Sequence, residues 1–219
     1  MITELSIYDI EAKDQEIKNI VDQVLKFNLS YISVFPYYVK NTKRLLENTK
    51  IKLSCPIDFP LGISDTKNRQ QELLLAIKNG AQKIEMVFPS LLVINRKYDK
   101  LREEIKTNLA ICKEAGVELN YFLEYRHFDH VVLAKVAEIL MVIGVNVIYP
   151  STGFLIDDIN DNLIACSYFF KKTAIKSITN GNIWQESQVK NIIKSEVYGV
   201  RFSNLNSLQL FYEKSSSEI

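Results

Sequence analysis

What the chain has little of narrows it first. Its 219 residues include three cysteines, seven glycines, two histidines and one tryptophan. Cys55, Cys112 and Cys166 stand at no metal or redox spacing and leave an odd count. That excludes a disulfide framework and predicts reduced thiols in a cytoplasm. An excess of one charge sign is also missing, because 27 Lys and Arg against 26 Asp and Glu leave +1. Neither nucleic acid nor an anionic membrane surface is therefore an expected partner. Met1 to Asp14 carries acidic residues and lacks an apolar signal core, so neither secretion nor organelle import is expected. The longest apolar region, Val131 to Tyr149, is broken by Lys135, Glu138 and Asn146 and divides into a helix followed by a strand rather than a membrane span. His127 and His130 have no third ligand nearby and read as surface residues, so neither a metal nor a cofactor is called for.

What is present is a regular alternation of short β-rich runs and longer segments of helical period. Strands are expected near Leu5–Tyr8, Tyr31–Phe35, Ile51–Ile57, Lys83–Phe88, Glu118–Leu123, Val145–Tyr149, Ala174–Ile178 and Val197–Phe202. Gly80, Gly116 and Gly144 each close a helical segment just before an apolar run, where a left-handed residue turns the chain into the next strand. Eight strand-helix units at intervals of about 25 to 30 residues predict a single (β/α)8 TIM barrel. An open nucleotide-binding sheet would show a phosphate-binding glycine fingerprint after its first strand, and none is there. One domain is expected over residues 1–219, with 213–219 as a solvated tail.

In such a barrel the C-terminal strand ends converge on one cavity. Read off the expected strands, those ends carry Phe35, Cys55, Glu85, Glu124, Arg126, Tyr149, Lys176 and Arg201. The chain pivots on Gly144 to Phe154, where a β-branched run ends at Tyr149-Pro150 and is followed by Ser151-Thr152-Gly153, rich in hydroxyls and backbone donors.

These residues resemble the 2-deoxyribose-5-phosphate aldolases, class I (Schiff-base) TIM-barrel aldolases, from about Asp14 to Ser203. Phe59-Pro60-Leu61-Gly62 is similar to that family's Gly-Phe-Pro-Leu-Gly loop, with Asp58 at the first glycine. Ile84-Glu85-Met86-Val87 is similar to its strand-four run, which carries aspartate where Glu85 stands. Leu123-Glu124, Ser151-Thr152-Gly153-Phe154 and Ile175-Lys176-Ser177 resemble its strand-five, strand-six and strand-seven segments. In the family a Lys-Thr pair precedes Ser-Thr-Gly-Phe, and that lysine attacks the substrate carbonyl. Here the pair is Tyr149-Pro150. A phenol cannot form an iminium, so the resemblance implies a barrel that has lost its electron sink.

Two readings follow from it. In the first, the chain no longer cleaves carbon-carbon bonds and binds a small sugar phosphate or polyol through Glu124, Ser151, Thr152, Gly153, Asn180, Gly181, Arg201, Ser203 and Asn204; a homodimer is compatible with it. In the second, the chain remains a lyase, with Lys176 as the amine and Glu85 and Tyr149 moving protons. Simpler roles stand beside these. Tyr149 reads as an aromatic plug bonded to Glu85 or Glu124, Lys176 as the ionic partner of those carboxylates, Cys55 as an apolar filler, and Trp184 as packing one helix onto the barrel.

Overall fold

The computed structural model describes residues 1–154 and 158–215. Eight parallel strands close in sequence order into one barrel: β1 (Ile2–Ile7), β2 (Tyr31–Val34), β3 (Lys52–Ile57), β4 (Lys83–Val87), β5 (Glu118–Phe122), β6 (Val147–Tyr149), β7 (Lys176–Gly181) and β8 (Gly199–Phe202). Nine α-helices are described: α1 (Asp14–Val24), α2 (Val39–Leu45), α3 (Thr66–Lys78), α4 (Ser90–Ile94), α5 (Tyr98–Glu114), α6 (His130–Ile143), α7 (Ile159–Thr173), α8 (Glu186–Lys194) and α9 (Leu205–Ser215). The short α4 is an element that the sequence reading did not contain. Helix α9 runs through Glu213 to Ser215, which corrects the start of the expected tail; residues 216–219 lie outside the described residues.

Local chemistry explains the boundaries. Asp65 and Asp129 cap α3 and α6 by accepting from the backbone N–H of Asn68 and Val132, at 3.0 and 2.8 Å. Gly144 ends α6 at φ +107, a conformation that costs a residue with a Cβ about 1 kcal/mol or more, and the chain then enters β6. The apolar stripe of α6, Leu133, Val136, Ala137, Ile139 and Leu140, is buried against the strands. Each of its larger side chains contributes about 1.5–3 kcal/mol by leaving water. No described helix is long and apolar enough to cross a membrane.

The register sorts the strand residues into two sets. Ser33 pairs with Ser54, Pro56 with Glu85, Glu85 with Asn120, Phe122 with Tyr149, and Asn180 with Arg201. Because side chains alternate along a strand, Glu4, Lys83, Glu85, Phe122, Tyr149, Ile178 and Arg201 share the inward face. Cys55 pairs with Ile84 in the opposite set, between the strands and the helices. It is fully buried there, and burial together with the Glu85 and Glu72 charges pushes its thiol well above the ordinary range. Cys55 is the filler expected of it and not a rim residue.

Candidate functional site

A TIM-barrel interior is usually filled by branched apolar side chains. This one holds an ionic cluster instead. Glu4 from β1, Lys83 and Glu85 from β4, and Arg201 from β8 are each at most 1% exposed. Isolated charges could not stay there, so each must be matched. Lys83 Nζ bonds Glu4 and lies 3.2 Å from Glu85 Oε1. Arg201 turns Nε and Nη2 to Glu4 Oε2 at 3.1 and 2.6 Å. It also meets Glu85 Oε2 through Nη1 at 2.8 Å and Glu85 Oε1 through Nη2. Two cations answer two carboxylates, so the cluster is neutral.

Burial alone would raise the Glu85 carboxyl, but the Arg201 and Lys83 charges outweigh it and hold Glu85 well below the usual carboxylate range. Desolvation opposes the Arg201 charge too. The surrounding Glu85 and Glu4 carboxylates, with the Tyr149 and Tyr8 phenols, keep the guanidinium's pKa well above its ordinary value.

Tyr149, at the last position of β6, drops its hydroxyl into the centre of this cluster. The oxygen lies 3.0 Å from Lys83 Nζ and 2.8 Å from Arg201 Nη2, both of which donate to it. Glu4 Oε2 at 2.8 Å and Glu85 Oε1 at 3.2 Å stand ready to accept. One phenol proton serves one acceptor at a time, and Glu4 is the closer. Burial pushes the phenol's pKa well above the ordinary range, so Tyr149 stays a neutral donor. Its ring packs on Phe122 with centroids 4.7 Å apart and touches Val87 and Ile178. An aromatic roof continues towards the mouth, where Phe59 lies 5.9 Å from Phe122 and from Phe35, 4.8 Å from Tyr8 and 6.0 Å from Phe154.

Around that roof lies the rim. Glu124, two residues beyond β5, takes left-handed φ +48, and its Oε1 accepts from the Thr152 backbone N–H. Of the two carboxylates expected for the Tyr149 hydroxyl it is Glu85 that it meets, whereas Glu124 ties down the Ser151-Thr152 turn. Asn180 Nδ2 donates to the Ser151 carbonyl at 2.8 Å, and Gly153 approaches so closely that a Cβ there would lie 3.1 Å from Asn180 Nδ2. Asn204 Oδ1 caps α9 by accepting from Ser207 N–H at 2.8 Å. A cavity of about 560 Å³, of the size used for small ligands, is lined by Thr152, Gly153, Asn180, Arg201, Ser203 and Asn204 together with Tyr8, Phe59 and Phe154. Gly181 and Ser151 are buried beside this set and do not line it. Asp58, at the loop position where the resembled family has glycine, takes left-handed φ +55 and is held by Arg69 Nη1 at 2.7 Å.

Lys176 is placed differently from the expectation. It is the first residue of β7, and therefore at the N-terminal end of the barrel, exposed, with Nζ 4.7 Å from the Tyr198 ring centre. The inward position beside Tyr149 on that strand is Ile178. The strand begins two residues later than its sequence pattern suggests, which moves the lysine from one mouth of the barrel to the other. The cationic partners of Glu85 are Lys83 and Arg201. Arg126 lies outside the mouth, over the Tyr125 ring and 3.4 Å from Asp161. Trp184 is 71% exposed and packs no helix onto the barrel. The residues missed were Glu4, Lys83, Tyr8 and Ser33, the last two donating to Glu85 Oε2 at 3.0 and 2.8 Å. Lys83 stood in plain view two residues before Glu85, the spacing that puts two side chains on one face of a strand.

No family model matches the chain. A deoxyribose-phosphate aldolase of Metamycoplasma arthritidis is 31% identical over 145 residues, 66% of this chain, and the chain spans 65% of that relative's length. Its counterpart from Mycoplasmopsis pulmonis is 27% identical over 188 residues, 84% of this chain and 83% of the relative. Among solved structures, the tetrameric deoxyribose phosphate aldolase of Aeropyrum pernix superposes with a TM-score of 0.84 at 16% identity, covering 99% of this chain and 90% of its own. By sequence the chain is similar to the deoxyribose-phosphate aldolases, and it shares their closed eight-stranded barrel fold.

Proposed function

We propose that this chain is an aldolase-lineage barrel that holds a small phosphorylated or polyhydroxy ligand in its mouth cavity and has given up Schiff-base cleavage. One observation carries the reading. The position where the resembled family keeps its nucleophilic amine is a neutral phenol, saturated by two cations and two carboxylates at the centre of the barrel. Iminium formation needs an unprotonated amine facing a carbonyl. Tyr149 has none to offer. Lys83, the nearest amine, is 1% exposed, lies beneath the phenol and is engaged by Glu4 and Glu85, so it does not face the mouth where a carbonyl would enter. Lys176, at the opposite end of the barrel, is not positioned to take the role.

Borohydride reduction in the presence of acetaldehyde or 2-deoxyribose-5-phosphate tests this reading. No stable lysine adduct is expected. An adduct localised to a lysine of the barrel interior would return the chain to the lyases.

A further inference from the structure

Among the described residues that line the mouth cavity the one cation is Arg201, and its hydrogen bonds are already committed. Nε points to Glu4, Nη1 to Glu85 and Tyr8, and Nη2 to Glu4, Glu85 and Tyr149. A ligand phosphate could recruit it only by breaking a buried, charge-balanced pair. Among the described lining residues the other charged group is Asp9, an exposed carboxylate in the loop after β1. One Asp9 oxygen accepts from Glu11 N–H at 2.8 Å, and nothing cationic among the lining residues is left to offset its charge. At the start of α9, where an anion would be drawn, Asn204 intervenes. Its Oδ1 takes the Ser207 N–H and its Nδ2 donates to Asn182 at 2.6 Å.

The rest of the lining suits a different chemistry. Tyr8, Phe59 and Phe154 give ring surface, on which the C–H face of a sugar or polyol can lie. Ser6, Ser203, Asn206 and Thr152 are neutral groups able both to donate and to accept. A hydroxyl uses both capacities and can also donate to a carboxylate. A phosphate oxygen only accepts, and it is repelled by Asp9.

We infer that the mouth cavity is built for an uncharged polyhydroxy ligand, with Asp9 receiving its hydroxyls and selecting against a phosphate ester; this rests on the ligand-binding reading above and narrows it. Calorimetric titration of the full chain with 2-deoxyribose and ribose, set against 2-deoxyribose-5-phosphate and inorganic phosphate, tests it. The neutral sugars are expected to bind about tenfold or more tighter than the ester. Asp9→Asn keeps the acceptor for Glu11 N–H and is expected to keep the unliganded Tm, while shrinking the discrimination by about tenfold. Tighter binding of the ester, or a ratio unmoved by Asp9→Asn, overturns this inference and leaves the ligand-binding reading standing. Failure of every compound to bind overturns both.

Discussion

The Tyr149 hydroxyl sits 3.0 Å from Lys83 Nζ, with both groups sealed from solvent and both reaching the same carboxylates, Glu4 and Glu85. That contact ties the last position of β6 to the first of β4 across the barrel axis. It makes position 149 part of an ionic core, and measurable consequences follow.

Removing the hydroxyl alone isolates its worth. Tyr149→Phe keeps the ring on Phe122 but withdraws the acceptor facing Lys83 and Arg201 and the donor facing Glu4. A loss of about 1–3 kcal/mol is expected by urea denaturation, the cost of leaving buried polar groups short of a partner. Tyr149→Ala adds the cavity of a missing ring and is expected to cost about 3–5 kcal/mol. Equal losses for the two variants would mean that the ring contributes nothing.

Charge balance gives a second expectation. Arg201→Met leaves Glu4 and Glu85 with Lys83 alone and should destabilise by about 3–5 kcal/mol. Adding Glu85→Gln to that variant restores neutrality, so the double variant should lose less than the sum of its parts. Simple additivity in this cycle would show that the two groups do not interact.

The depressed Glu85 carboxyl sets a pH dependence. A carboxyl with a folded-state pKa below its unfolded value of about 4.3 contributes full stability above that value and loses the contribution as pH falls below it. Stability is therefore expected to fall steeply below about pH 4, and Glu85→Gln should flatten that acid limb. An unchanged slope in the variant would place the acid sensitivity elsewhere.

Lys176 makes a useful contrast. Exposed at the far end of the barrel, it should tolerate Lys176→Ala within about 0.5 kcal/mol, with ligand binding at the C-terminal mouth unaltered. A loss of binding would mean that the β7 lysine reaches the site after all.

Eight strands and the inward placement of Glu85, Tyr149 and Arg201 were legible because hydrophobic period and glycine stops are local signals. The partners of Glu85 were less so. Glu4 and Lys83 lie 79 positions apart in the chain and meet only through closure of the barrel, so no local pattern links them. Lys176 misled for the opposite reason. Its flanking residues matched a family segment, but strand parity says which face a residue takes and not which end of the barrel it occupies. Asp58 shows sequence and structure disagreeing only on the surface: an aspartate takes the left-handed conformation suited to glycine, secured by Arg69 and by Ser64 N–H at 3.1 Å.

The most direct measurement is intact-protein mass spectrometry after borohydride reduction with acetaldehyde, run on the natural chain and on Tyr149→Lys. The natural chain should show no added mass. The variant puts an amine back at the position where the resembled family keeps its nucleophile, and it should gain a reduced adduct at position 149. An adduct on the natural chain, mapped to Lys83 or any other interior lysine, would contradict the account.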